Sequence, residues 1–312
     1  MHSCLRLCIY SPTHVFFSSY SSAVFKVVRR YCRCSNMPSR APVTVREVWA
    51  HNLESEIQII QNLVDTYYYV SMDTEFPGVV FKTQSSVRAW ERRRQGSAVE
   101  QYRLLKLNVD ALNIIQIGLT LSDPEGNLPD VDESGGRCIW QFNFSDFDLA
   151  RDLHAPDSVL LLHGHGIDFN RTRELGIDSA RFGELIMSSG LLCNEWVSWV
   201  TFHGAHDFGY FVKILMQSPL PDRLEDFLGN LTAFFGSSVY DVKHMMKFCE
   251  RLCGGLDRLA KSLDVDRVVG QCHQAGSDSL LTWHVFQKMR DVYFHHGGVE
   301  KFVGVLFGLE VY

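Results

Sequence analysis

No apolar run in this 312-residue chain approaches the roughly 20 residues a helix needs to cross a bilayer, which excludes a helical membrane anchor from the reading. Paired zinc spacing is missing too: the nine cysteines (Cys4, Cys8, Cys32, Cys34, Cys138, Cys193, Cys249, Cys253, Cys272) are odd in number and too sparse for a disulfide framework. They read as reduced thiols of an intracellular protein. Cys249 and Cys253 have helical spacing with no second Cys or His pair nearby, and read as packing. Acids are absent from residues 1–46, which hold seven of the 30 Lys+Arg; residues 47–312 therefore carry 23 bases against 36 acids, a net of −13. That acidic body excludes a broad basic face for gripping duplex DNA, so any nucleic acid is held locally, through metals or a shaped groove.

Residues 1–36 are rich in Ser, Arg and aromatics, the composition of an organellar transit peptide. Met37, followed by Pro38-Ser39-Arg40-Ala41-Pro42 and a domain-like segment, favours a segment that precedes the true start. Residues 1–43 are set apart as a basic extension and 44–312 are read as one domain. With 46% hydrophobic residues, that stretch is long enough for a sizeable core. From Thr44 onward, Val48, Leu53, Ile57, Ile60, Leu63 and Val64 predict a first helix leading into a strand over 67–76. Residues 83–106 are polar and basic and read as a solvated helix and loop face. Strands are predicted over 111–121 and 138–144, an antiparallel start. Helices dominate thereafter, interrupted by a short apolar strand over 196–202. The class is α/β, a central mixed sheet flanked by helices.

Asp73 and Glu75 stand at the end of the first strand, just before Pro77-Gly78, and share one face about 6.7 Å apart. Two like charges that close need a cation. On the helix predicted to begin near Asp207, the residues Tyr210, Phe211 and Ile214 fall within about 60° of that acid, which sits on the core-facing stripe. The helix predicted over 277–294 repeats the arrangement, with Leu281, Val285, Met289 and Val292 around Asp278. Four inward carboxylates of oxygen-only character suit two hard divalent ions, Mg²⁺ or Mn²⁺, whose usual work in a pair is in-line phosphoryl transfer. His273, five residues before Asp278 and separated from it by a flexible Gln274-Ala275-Gly276-Ser277, is placed to act as the general base.

These motifs resemble the DEDDh branch of 3'-to-5' exonucleases with a ribonuclease-H-like fold. More narrowly, residues 70–78, Asn113 to Leu119, Trp140 to Phe144, Phe202-His203-Gly204 with Asp207-Phe208-Gly209-Tyr210, and His273 to Thr282 are similar to the Caf-one (Pop-two) deadenylases, exonuclease subunits of the Ccr-Not complex. The resemblance runs in unbroken order over roughly residues 44–312. It implies a poly(A)-specific exoribonuclease that shortens messenger-RNA tails and releases adenosine 5'-monophosphate. Asp73 then bridges two metal ions, Glu75 and Asp278 complete the first site, Asp207 holds the second, and His273 deprotonates the water. Partners implied are single-stranded RNA, a helical-repeat scaffold of the Ccr-Not complex and a leucine-rich-repeat nuclease; the cytoplasm with its P-bodies and the nucleus are the implied locations. His206 stands where the family often has Tyr, and Trp283-His284 where smaller residues are common. Phe76 and Tyr210 are candidates for stacking on bases. Two other readings compete: a DEDDh exonuclease acting on DNA or short RNA, and a non-catalytic scaffold subunit.

Overall fold

In the computed structural model, which describes residues 42–82, 97–131, 136–294 and 298–311, the chain enters the fold as a strand where a helix was predicted. That strand, β1 (Val43–Val48), pairs in parallel with β4 (Arg137–Asn143), and α1 (Leu53–Leu63) begins only afterwards. The β-branched Val43, Thr44, Val45 and Val48 favour the extended form, and the apolar spacing from Leu53 onward belongs to the helix alone. Of the predicted 1–43 extension, residues 1–41 lie outside the described residues. So do 83–96 of the basic stretch, whose remainder enters α2 (Ala98–Ala111), capped by a Ser97 and Glu100 capping box.

The other strands are β2 (Tyr69–Glu75), β3 (Gln116–Ser122), β5 (Ser198–Thr201) and β6 (Val239–Asp241), in the sheet order β1-β4-β3-β2-β5-β6. β2, β3 and β4 form the antiparallel start expected from sequence, and β5 and β6 add to β2 in parallel. The strand predicted from residue 111 begins at Gln116, because Ala111 still belongs to α2. This is the ribonuclease-H-like arrangement, with β1 added at one edge. The further helices are α3 (Pro156–Gly164), α4 (Phe169–Leu175), α5 (Ser179–Met187), α6 (Ala205–Met216), α7 (Leu224–Phe235), α8 (Val242–Met245), α9 (Leu256–Ser262) and α10 (Ala275–Tyr293). Among the described residues, no helix is long and apolar enough to cross a membrane.

Alternation along β2 sends Val70 and Met72 into the larger core, which they share with Tyr102 and Val109 of α2 and Phe208 and Phe211 of α6. The other face belongs to α10, whose Leu280, Trp283, Val285, Phe286 and Met289 pack with Ile139, Val200 and Tyr240. Val292, expected on this buried stripe, is exposed. The first turn of α10 rests on β3 at Gly118, the register partner of Asp73. A β-carbon at Gly118 would lie 1.9 Å from the Ala275 carbonyl oxygen.

That first turn carries N–H groups with no partner inside the helix, and amide side chains of the sheet accept them. Gln116 Oε1 takes the Ala275 N–H at 3.3 Å and Gln141 Oε1 takes the Gly276 N–H at 3.0 Å. Glu47 of β1 sets both amides: it accepts from Gln141 Nε2 at 3.0 Å and Asn143 Nδ2 at 2.8 Å, and Asn143 Oδ1 in turn accepts from Gln116 Nε2 at 2.8 Å. The strand missed in the sequence thus orients the caps of the helix that carries Asp278. Replacing Gly118 by Ala is expected to lift α10 from β3 and lower stability by roughly 1–3 kcal/mol or more. Urea denaturation measures this, and an unchanged midpoint would contradict the close seating.

Candidate active site

The end of β2 and the first turn of α10 converge on one point. Asp73, Glu75 and Asp278 bring a carboxylate oxygen each within 4.8 Å of the other two. Glu75 and Asp278 are buried and Asp73 is half-buried. At such separations two ionised carboxylates repel by roughly 3–4 kcal/mol at an effective dielectric near 20, so the trio holds protons or takes a cation. Burial, then the charges of Asp278, Asp207 and Glu75, push the Asp73 carboxyl well above the ordinary range. Glu75 is raised likewise, by burial and then by Asp278 and Asp207. Burial also raises Asp278, but the Arg267 guanidinium holds it back, with Nη1 2.6 Å from Asp278 Oδ1.

Asp207 reaches this point from the opposite face of the sheet. It lies in the first turn of α6, buried with Tyr210, Phe211 and Ile214 as the helical arithmetic requires. Its Oδ1 accepts the hydroxyl of Thr74 at 2.5 Å, and Thr74 points away from its neighbours Asp73 and Glu75. Asp207 therefore stands outside the tight trio while close enough to raise the pKa of both β2 acids. Its own carboxyl is pushed up to about 7 by burial, with the Thr74 hydrogen bond opposing.

His273 corrects one expectation. Residues 275–277, expected to be a flexible tether, are the buried first turn of α10, because the Gln116 and Gln141 caps and the Gly118 contact hold them. The imidazole is placed instead by the backbone, at φ +60° with its N–H donated to Asp278 Oδ2 at 3.0 Å. The His165 ring stands 5.0 Å away, edge-on. His273, Asp73, Thr74, Glu75, Phe202 and Arg258 line one cleft of about 330 Å³.

Cys272, His273 and Asp278 also have ligand atoms within 4.8 Å of one another, a set with a softer donor. The Cys272 thiol donates to Asp257 Oδ2 at 2.9 Å, and burial followed by that hydrogen bond pushes its pKa up to about 12. A thiol so firmly protonated is a poor metal ligand, whereas the oxygens of Asp73, Glu75 and Asp278 fit a hard divalent cation. Cys249 is buried and Cys253 exposed; neither joins a ligand group among the described residues.

Tyr210 is 1% exposed and belongs to the core, which removes it as a stacking surface. Phe76 is half-buried and stacks on His206 at 5.4 Å and 15°. Burial and the nearby His203 lower the His206 pKa to about 4, so that ring is neutral at ordinary pH. Sequence reasoning missed Thr74, Arg267 and the Gln116 and Gln141 caps. Strand alternation alone offered Thr74, as the β2 residue facing the helix of Asp207. Nothing in the sequence marked Arg267, which lies in an irregular segment and meets Asp278 only through the fold.

The model of the CAF1 family ribonuclease matches residues 48–181. A probable CCR4-associated factor 1 homolog (homolog 10) of Arabidopsis thaliana is 50% identical over 269 residues, covering 86% of this chain and 93% of the relative. The poly(A) ribonuclease pop2 of Schizosaccharomyces pombe is 43% identical over 265 residues, 85% of this chain and 75% of that protein. A structure of S. pombe Pop2p in its Mg²⁺- and Mn²⁺-bound form matches with a TM-score of 0.75 and 43% identity, covering 85% of this chain and 99% of that one. A structure of the yeast NOT1 MIF4G domain co-crystallised with CAF1 contains another matching chain, with a TM-score of 0.66 and 33% identity over 85% of this chain and 96% of that chain. With likeness of sequence and structure extending over most of its length, the chain belongs to the CAF1 family of ribonucleases.

Proposed function

We propose that this ribonuclease is a poly(A)-specific 3'-to-5' exoribonuclease that shortens messenger-RNA tails and releases adenosine 5'-monophosphate. The observation that carries the proposal is the convergence of Asp73, Glu75 and Asp278 within 4.8 Å, with Asp207 beside them and His273 in the same cleft. Two divalent ions, Mg²⁺ or Mn²⁺, would be held by these acids: Asp73 shared, Glu75 and Asp278 on one, Asp207 on the other. When bound, such a pair activates water and stabilises the leaving oxygen of a phosphodiester. The chain's own residues do the rest. His273 accepts the proton of the attacking water, Asp278 fixes the His273 backbone, and Thr74 orients Asp207. The name of the S. pombe relative supports poly(A) as substrate, and its Mg²⁺- and Mn²⁺-bound structure supports the choice of ions. Likeness to the CAF1 of the yeast NOT1 complex supports docking on the helical-repeat scaffold of the Ccr-Not complex; a leucine-rich-repeat nuclease as a further partner rests on the motif resemblance alone.

The proposal is tested by incubating residues 37–312 with an end-labelled RNA bearing an adenosine tail and Mg²⁺ or Mn²⁺. Asp73→Asn and His273→Ala are each expected to slow shortening by about 100-fold or more, Asp73→Asn by weakening metal binding and His273→Ala without doing so. Equal shortening by Asp73→Asn would refute the metal reading, and trimming at the same rate through non-adenosine sequence would refute poly(A) specificity.

A second test uses pH. Because the folded protein holds Asp207 at about 7, far above its unfolded value, it binds more protons than the unfolded chain as pH approaches 7, and stability falls as pH rises. The raised Asp73, Glu75 and Asp278 act in the same sense. His206, depressed to about 4, and His203, also lowered by burial, give the opposite slope, which fades as pH rises past their ordinary value near 6.5. Between pH 6.5 and 8, metal-stripped protein is therefore expected to lose on the order of 1 kcal/mol through Asp207 alone. Saturating Mn²⁺ should remove that slope and Asp207→Asn should flatten it, both read from thermal unfolding in matched buffers. A stability that rises over this window would contradict the assignment.

A further inference from the structure

Asp241, the last residue of β6, is a completely buried carboxylate that does not line the cleft. It accepts five main-chain N–H groups from three separate segments. Its Oδ1 takes those of His203 at 2.9 Å, Lys243 at 2.9 Å and His244 at 3.4 Å. Its Oδ2 takes those of Gly204 at 3.2 Å and Phe307 at 2.9 Å. The bonds to Lys243 and His244 cap α8, an ordinary task for an aspartate. Those to His203 and Gly204 do something else, because these two residues form the turn from β5 into α6, three residues before Asp207.

The turn is held in a demanding shape. His203 sits at φ +64°, in the left-handed region that a side chain disfavours. Gly204, the cap residue of α6, is pressed against the β5 end so closely that a β-carbon there would lie 2.1 Å from Thr201 Oγ1. A turn strained in this way persists only where its surroundings over-determine it, and the Asp241 carboxylate supplies two of the necessary bonds. From Gly204 the chain passes directly into the first turn of α6, where the Phe208 N–H closes on the Gly204 carbonyl at 2.9 Å and encloses Asp207.

We infer that Asp241 is a positioning residue for Asp207: by fixing the 203–204 turn it sets the first turn of α6, and with it the Asp207 carboxylate relative to Asp73 and Glu75. The inference rests on Asp207 as a metal ligand under the proposed function. Asp241 lines no part of the cleft, and it acts on Asp207 through main-chain geometry in addition to its charge. Residues that orient ligands in this manner typically change metal affinity about 10–100-fold when replaced.

Two full-length variants test it. Asp241→Asn keeps the shape but turns an NH2 group toward at least two N–H donors. Asp241→Ser keeps an oxygen that can cap Lys243 and His244 while releasing Gly204 and Phe307. Mn²⁺ binding is measured by calorimetric titration and by the metal-induced rise in Tm, and kcat and KM are measured on adenosine-tailed RNA as Mn²⁺ is varied. The expected result is Mn²⁺ binding weakened about tenfold or more, an unchanged KM for RNA, and a kcat that recovers as Mn²⁺ is raised, in variants folded at 25 °C by circular dichroism. Wild-type Mn²⁺ binding in Asp241→Ser, a loss of kcat that Mn²⁺ does not restore, or an Asp241→Ser chain that fails to fold would each overturn the inference in favour of a purely structural role. Asp207→Asn separates the two levels: if it weakens Mn²⁺ binding while Asp241→Ser does not, positioning alone is refuted, and if it leaves binding unchanged the metal reading falls with it.

Discussion

The first turn of α10 lies closer to the sheet than any side chain at position 118 would permit, and the site depends on that contact. Gly118 stands opposite Asp73 in the β2–β3 ladder, so the space left by its missing side chain lies beside the acid. Into that space the helix lowers Ala275, which brings Asp278 within ligand distance of Asp73 and Glu75. Gln116 and Gln141 accept the N–H groups of the turn that have no partner within the helix, and Glu47 keeps those amides in the right orientation from the sheet edge. Close backbone approach, helix capping and an edge strand thus form one mechanical unit.

Convergence of this kind opposes stability. Burial raises the pKa values of all four acids, and repulsion from their neighbours adds to it at Asp73 and Glu75, the mark of a site whose ionised form lacks sufficient counter-charge. Arg267 supplies part of it at Asp278, and the Thr74 hydroxyl steadies Asp207. The partial dipole at the α10 terminus favours Asp278 as well. These local aids reduce the strain without removing it, and the surrounding core holds the acids in place. Two large apolar clusters, one on each face of the sheet, provide the stability on which the strained end draws.

The placement also follows from topology. β2, β5 and β6 are parallel neighbours, and their carboxyl ends lie side by side. The first end carries Asp73 and Glu75, the second leads into the turn before Asp207, and the third presents Asp241 to that turn. In α/β sheets the carboxyl ends of parallel strands are where ligands are bound, because there the loops and helix starts of both layers meet. α6 comes from one layer and α10 from the other, so their two acids reach a common point that neither layer could form alone.

Much of this was legible from local pattern. The alternation of β2, the 100° spacing around Asp207 and Asp278, and the polar breaks before both helices reflect short-range geometry, which neighbouring residues dictate without help from distant ones. Those same patterns misplaced β1, because Val43–Val48 becomes a strand by pairing with β4, whose partner residues begin at Arg137. They also made the segment after His273 a tether, since the side chains that cap it lie on β3 and β4 and do not show in its own composition. The sequence by itself determined which acids face inward and at what spacing. Only the tertiary structure decided that three of them form a tight trio with Asp207 held apart on Thr74, that Arg267 is their counter-charge, and that Asp241 supports the turn before Asp207. Periodicity is a property of consecutive residues, whereas charge pairing and close backbone approach depend on which distant segments the fold brings into contact.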